Sequence, residues 1–191
     1  MLELFQYLNS IYPLSFEVQS HLMQILKRRE LPANYFWLRE GNVCNRIAFI
    51  EKGLMKVFYS LHDKEIVVWF NKECDIIISV KSFFKQTPSQ LAIKTIEPTI
   101  INYIEFKDLE YIYNKYTNFN INARKITEEY YCISEDHLML MHLPAKERYL
   151  SLIKQYPWMP KRIKDKYLAA YLGITNVALS KLKSGICTTN S

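Results

Sequence analysis

Residues Asp165 to Lys183, DKYLAAYLGITNVALSKLK, constrain the chain's geometry more than any other stretch. Two helices that cross steeply need small side chains where they touch, and Ala169 and Ala170 supply them. Leu168 and Leu172 form the buried side of the first helix. Gly173 falls where the turn demands a positive φ. Ile174 fills the space beneath the turn, and Thr175 is placed to cap a second helix through its hydroxyl. Leu179 and Leu182 bury that second helix, which leaves Asn176, Val177, Ser180, Lys181 and Lys183 facing outward. The pattern predicts a helix-turn-helix, against the alternative of an ordinary helical hairpin with a glycine turn.

The charge distribution decides between these two. From Pro144 to Ser191 there are nine basic and two acidic side chains, whereas the rest of the chain is close to neutral. The net charge of +6 is therefore held by the last quarter of the sequence. A basic segment attached to a neutral body suits a polyanion-binding module. A major groove admits one helix and is read by side chains near that helix's N-terminal end. Asn176 suits adenine, Val177 suits a thymine methyl, and Lys181 reaches a guanine edge or a phosphate. Thr175, Ser180 and Lys183, with Lys161, Arg162 and Lys164 outside the second helix, are assigned to phosphates. The expected partner is double-stranded DNA.

Upstream, residues 1 to 30 read as helical. Leu4, Leu8 and Ile11 share a face, Pro13 ends that helix, and Ser15 caps a second carrying Val18, Leu22, Ile25 and Leu26. From Leu31 to about Phe106, short runs of β-branched and aromatic residues alternate with turn signals: WLREGN, IAFIEKGLMKVFYS, EIVVWFN, DIIISV and LAIKTIEPTIINYIEF. That spacing predicts a sandwich or barrel. Gly41 and Gly53 flank the strand Arg46–Ile50 at turns that call for positive φ.

KDLEYIYNKY then predicts a short helix and residues 118–143 a long one. In the long helix, Phe119, Ile126, Ile133 and Leu140 recur every seven residues, and Ala123, Tyr130 and His137 follow the first three by four. Two readings stand: one face packs on the barrel, or the seam pairs two copies. His137 lies on this seam, where protonation would place paired charges in an interface. Pro144 ends the long helix and reads as a hinge. KERYLSLIKQYP is amphipathic, with Tyr149, Leu152, Ile153 and Tyr156 on its apolar side, and the tail GICTTNS reads as a frayed end.

Strand barrel, long helix and C-terminal helix-turn-helix together resemble the Crp/Fnr family of bacterial transcription regulators. The carriers are LREGNVCNRIAFIEKGLMKVFY, similar to that family's glycine-punctuated β-roll opening, and IKDKYLAAYLGITNVALSKLK, similar to its DNA-reading end. AKERYLSLIKQYP and AAYLGIT…LSKLK are similar to the short forms found in Bacteroidetes. The resemblance implies an α+β fold. Residues 1–117 would form a cyclic-nucleotide-binding-type β-roll (a jelly-roll-like double-stranded β-helix) with flanking helices. Residues 118–143 would form a dimerisation helix, and 144–191 a winged helix-turn-helix. It also implies a homodimer on a two-fold operator, with RNA polymerase as a further partner.

The effector does not carry over. Cyclic-nucleotide-binding members hold the phosphate with a Gly-Glu pair and an Arg-Ser or Arg-Thr pair. The matching stretch here is KECDIIISVKSFFKQTPSQLAIKTIE. Glu73 holds the Glu place without a preceding glycine, and Pro88, Ser89 and Gln90 stand where Arg is expected. No cofactor and no cAMP are therefore expected. Glu73, Lys81, Lys85, Ser89 and Gln90 remain as a candidate lining for another anion, beside the plainer reading of a solvated turn.

Cys44, Cys74, Cys132 and Cys187 are scattered and form neither a zinc pattern nor a disulfide framework. His62 is the one histidine in the strand region, so a cupin metal set cannot be assembled. No nucleophile or phosphate-loop motif is present, and catalysis is not expected. No stretch has the length and flanks of a signal peptide or membrane span, which predicts a cytoplasmic protein. The rival reading is a β-roll protein that binds proteins, or a small molecule as cupins do, without touching DNA.

Overall fold

The computed structural model describes residues 1–62 and 64–187. The chain divides into two compact units. One comprises Met1–Tyr59 and Val68–Glu128, the other Ser60–Val67 and the chain from Glu129 onward. The division falls inside the long helix, not at Pro144.

The first unit opens with α1 (Leu2–Ile11) and α2 (Phe16–Ile25), which bury Leu4, Leu8, Val18 and Leu22. The Ser15 hydroxyl accepts the Val18 N–H at 3.3 Å, the cap its position predicts. Eight strands follow: β1 (Lys27–Leu31), β2 (Phe36–Leu38), β3 (Arg46–Lys52), β4 (Met55–Leu61), β5 (Lys64–Asn71), β6 (Ile76–Ile77), β7 (Ala92–Thr95) and β8 (Thr99–Glu105). They form two four-stranded sheets, ordered β1-β8-β3-β6 and β2-β7-β4-β5, antiparallel in the pairs whose register is resolved. Their crossovers give the jelly-roll-like arrangement expected of the sequence. Ile50, Met55, Ile93 and Ile101 sit wholly inside the core, and Ile112 joins it from α4 (Phe106–Lys115).

Three features differ from the sequence reading. First, residues 27–30 are strand, not helix. β1 runs KRREL with four exposed residues, and it pairs with β8 from Lys27↔Tyr103 to Leu31↔Thr99 at a sheet edge. Charged edge strands resist further pairing and carry almost no apolar alternation to read. Second, only Ile76–Ile77 of DIIISV is strand, and the chain turns into a short helix, α3 (Val80–Lys85), anchored by buried Phe83. Third, the strand run in LMKVFYS begins without an inside and an outside. Leu54 to Phe58 are all buried, and the Lys56 ammonium lies 4.3 Å over the Phe58 ring.

Two glycines are required by geometry. Gly53 has φ +112°, and a Cβ there would lie 2.5 Å from Thr99 Oγ1 and 2.6 Å from Thr99 Cα. Gly173, at the turn of the second unit, has φ +65°.

The long helix is α5 (Phe119–Met141). After it come α6 (Ala145–Gln155), α7 (Met159–Arg162), α8 (Asp165–Leu172) and α9 (Asn176–Cys187). Their core joins Leu140, Tyr149, Leu152, Met159, Ile163, Leu168, Ala169, Tyr171, Leu172 and Leu179. Helix α9 runs three residues into the tail read as frayed, and Thr188 to Ser191 lie outside the described residues. No strand follows Glu105 among the described residues, so the wing implied by the resemblance is not seen in them. None of the described helices is long and apolar enough to cross a membrane.

Candidate nucleic-acid interface

Helix α8 ends as its glycine predicts. Gly173 takes the left-handed conformation, and the Ile174 N–H reaches back to the Ala169 carbonyl at 3.0 Å. That six-to-one bond closes the helix and redirects the chain. Thr175 starts α9: its Oγ1 accepts the Ala178 N–H at 3.1 Å and its carbonyl accepts the Leu179 N–H at 3.0 Å. Leu168, Ala169, Leu172 and Leu179 are buried between the two helices. Tyr171, which the sequence reading had not placed, is buried as well, while Ala170 is only half-buried.

The first turn of α9 is open to solvent. Thr175, Asn176, Val177, Ser180 and Lys181 are all exposed. Val177 is 65% exposed, which leaves its methyl groups open to a ligand. At 100° per residue, Asn176, Val177, Ser180 and Ser184 fall on one face, with Lys181 at its margin. Ser184 was missed from the sequence, and its hydroxyl donates to the Ser180 carbonyl at 3.0 Å. Lys183 departs from expectation. It is half-buried and ion-paired to Asp165 at the start of α8, so its charge serves the fold of the motif before any ligand. Lys161 and Lys164 are exposed beside the motif and Arg162 is partly buried.

Behind this surface lie three residues that the sequence did not single out for the motif. The Arg148 guanidinium donates to the Leu143 carbonyl through Nη2 at 3.0 Å and to the Leu172 carbonyl through Nη1. The His137 ring stacks on Tyr171 with centroids 5.0 Å apart, and its Nδ1 lies 2.9 Å from the Tyr171 hydroxyl. Burial holds the His137 pKa below its ordinary value, and burial with the nearby Tyr156 phenol raises that of Tyr171.

No family model and no curated protein matches the sequence. Solved structures do match the fold. FixK2 from Bradyrhizobium japonicum is 16% identical with a TM-score of 0.75, over 87% of this chain and 86% of that one. A transcriptional regulator of the crp/fnr family from Eubacterium rectale gives 10% and 0.74, over 92% and 85%. CooA from Carboxydothermus hydrogenoformans, as a double mutant, gives 17% and 0.68, over 89% and 79%. The chain has the Crp/Fnr fold.

Within this fold the candidate effector residues differ in burial and in bonding. Glu73 Oε1 accepts the Gly53 N–H at 2.8 Å, so it braces a turn. Ser89 is buried with its hydroxyl 2.8 Å from that of Ser79, and it both donates to the Leu91 carbonyl and accepts the Leu91 N–H. Lys81, Lys85 and Gln90 are exposed. No guanidinium stands in the cassette stretch, and the serine and the carboxylate both bond within the fold.

The seam of α5 also changes meaning. Phe119 is buried, and Ile126 packs against the first unit's core. His137 is held by Tyr171, and Leu140 is buried in the second unit. Ala123 and Ile133 are half-buried and Tyr130 is 42% exposed. The heptad pattern therefore marks mainly the face turned to the chain's own interior. The large apolar residues most open on this helix are Tyr131, Leu138 and Met139, at 71%, 61% and 70% exposure. Among the described residues no group of histidines, cysteines and carboxylates is arranged to hold a metal.

Proposed function

We propose that the protein is a DNA-binding transcription regulator acting as a homodimer. The observation that carries this reading is the exposed first turn of α9. It sets Asn176, Val177 and Ser180 on one face, with Lys181 at the margin, behind a Thr175 cap and a left-handed Gly173. Asn offers a bidentate amide to adenine, Val offers methyl contact, and Lys181, Lys161 and Lys164 supply charge for phosphates. The shared fold adds support, since one structural neighbour is itself described as a crp/fnr transcriptional regulator. The dimer would pair α5 helices along Tyr131 and Leu138, which places two α9 helices on one palindromic site. RNA polymerase is its expected protein partner at promoters.

The reading also holds that no cyclic nucleotide switches the protein, because Glu73 and Ser89 are committed within the fold. Selection of bound sequences from random duplexes tests the main claim. A palindromic consensus, bound with an affinity that falls steeply with salt, is expected. Absence of binding even at low salt would leave a protein-interaction role instead. Titration calorimetry with cyclic nucleotides is expected to give no heat of binding.

A further inference from the structure

The helix-turn-helix corner is gripped from behind by groups that never reach its outer surface. Helix ends leave carbonyls without partners. Leu172 is the last residue of α8, and Leu143 lies just past the end of α5. One guanidinium, that of Arg148 on α6, donates to both. Because the guanidinium is planar and rigid, it fixes the separation of those two helix ends; an ammonium on a flexible stem has no fixed fork to set that spacing. The turn rests on the same group: a Cβ at Gly173 would stand 3.2 Å from Arg148 Nη1 and 3.5 Å from Met141 Cε. One residue earlier in α8, Tyr171 is wholly buried and bonded to His137 of α5. Three helices thus meet at the two residues that precede the glycine.

We propose that Arg148, supported by His137 and Tyr171, is a positioning device for the recognition helix, setting which bases α9 reads and not how strongly the protein holds DNA phosphates. The inference rests on the DNA-binding reading above. Base readout depends on where the first turn of α9 sits to within a fraction of a hydrogen-bond length. Phosphate attraction tolerates larger shifts. Loosening the corner therefore degrades discrimination first.

The test compares the full-length protein with Arg148→Lys, which keeps the charge, and Tyr171→Phe, which removes only a hydroxyl. Dissociation constants are measured on the selected duplex and on a scrambled one at fixed salt. For Arg148→Lys the ratio between the two duplexes is expected to fall by about tenfold, the scale of one base contact. Affinity for the scrambled duplex should stay within about twofold, because the phosphate contacts are untouched. For Tyr171→Phe the same change in smaller measure is expected. Thermal melting of each variant reports whether it folds; should Arg148→Lys fail to fold, Tyr171→Phe decides. If the folded variants keep the wild-type ratio, or lose affinity equally on both duplexes, the positioning role is overturned while DNA binding stands. If the wild-type protein binds no duplex, the DNA-binding reading falls and takes this inference with it.

Discussion

Glu51 shows how much one side chain can organise in the β-roll. Its carboxylate accepts from the Met1 ammonium at 2.6 Å, from Asn102 Nδ2 at 2.7 Å and from the Arg28 guanidinium at 3.2 Å. The Met1 ammonium is the leading cause, and together these hold its pKa down at about 2. A depressed carboxylate pKa contributes stability above the unfolded value and loses it as pH falls through the folded one. Glu51→Gln is therefore expected to lower stability by about 1 kcal/mol at neutral pH. The difference from wild type should be constant above about pH 5 and shrink as pH falls toward and through about 2. Urea melts across that range measure it, and a difference unchanged at pH 2 would refute the assignment. Gly53 makes a steric prediction at the same scale. Its Cβ would meet the Thr99 backbone and the Pro98 carbonyl as well as Thr99 Oγ1, so Gly53→Ala should cost about 2–4 kcal/mol. Both glycine turns were legible in the sequence, because positive φ narrows the choice of residue. Glu51 was not, since its partners come from residues 1, 28 and 102, which no local pattern connects.

At the scale of elements, legibility follows how local the cause is. The caps at Ser15 and Thr175 lie within three residues of the N–H groups they accept, and both were readable. Thr175→Ala is expected to cost about 1 kcal/mol and to fray the first turn of α9, with Thr175→Ser close to wild type. Amide hydrogen exchange at Ala178 checks this, since that N–H loses its acceptor only in the alanine variant. Strand β1 shows the opposite case. KRREL has the composition of an exposed helix, and only the row of carbonyls and N–H groups along β8 makes it a strand. The Arg148 brace was equally hidden: it joins side chain to main chain, and backbone carbonyls leave no mark in a sequence. The α5 heptads were visible but ambiguous, because a helix turned to its own core and one turned to a partner share a period.

For the whole molecule, the open question is what covers α5. Tyr131 and Leu138 lie seven residues apart on one face, with Met139 beside them. The same stripe nearer the helix start carries Arg124 and Glu128, ion-paired to each other, with Lys125 3.1 Å from Glu128. The apolar contact available to a second copy is therefore confined to the C-terminal half of the helix, in the unit that carries α9. A charge there should act on assembly before it acts on folding, since Leu138 is already in water in the single chain. Leu138→Glu is expected to shift sedimentation from dimer to monomer with an unchanged melting temperature at low concentration. The consequence for DNA follows from counting phosphates. A dimer on two half-sites neutralises twice as many as a monomer on one, and each contributes about −0.9 to the slope of log affinity against log salt. The variant's slope should be roughly half that of the wild type, with preference for the palindrome over an isolated half-site lost. A Leu138→Glu protein that stays dimeric would place the interface elsewhere. One that is monomeric yet keeps the full slope would mean that a single α9 helix, with its neighbouring lysines, makes the whole contact.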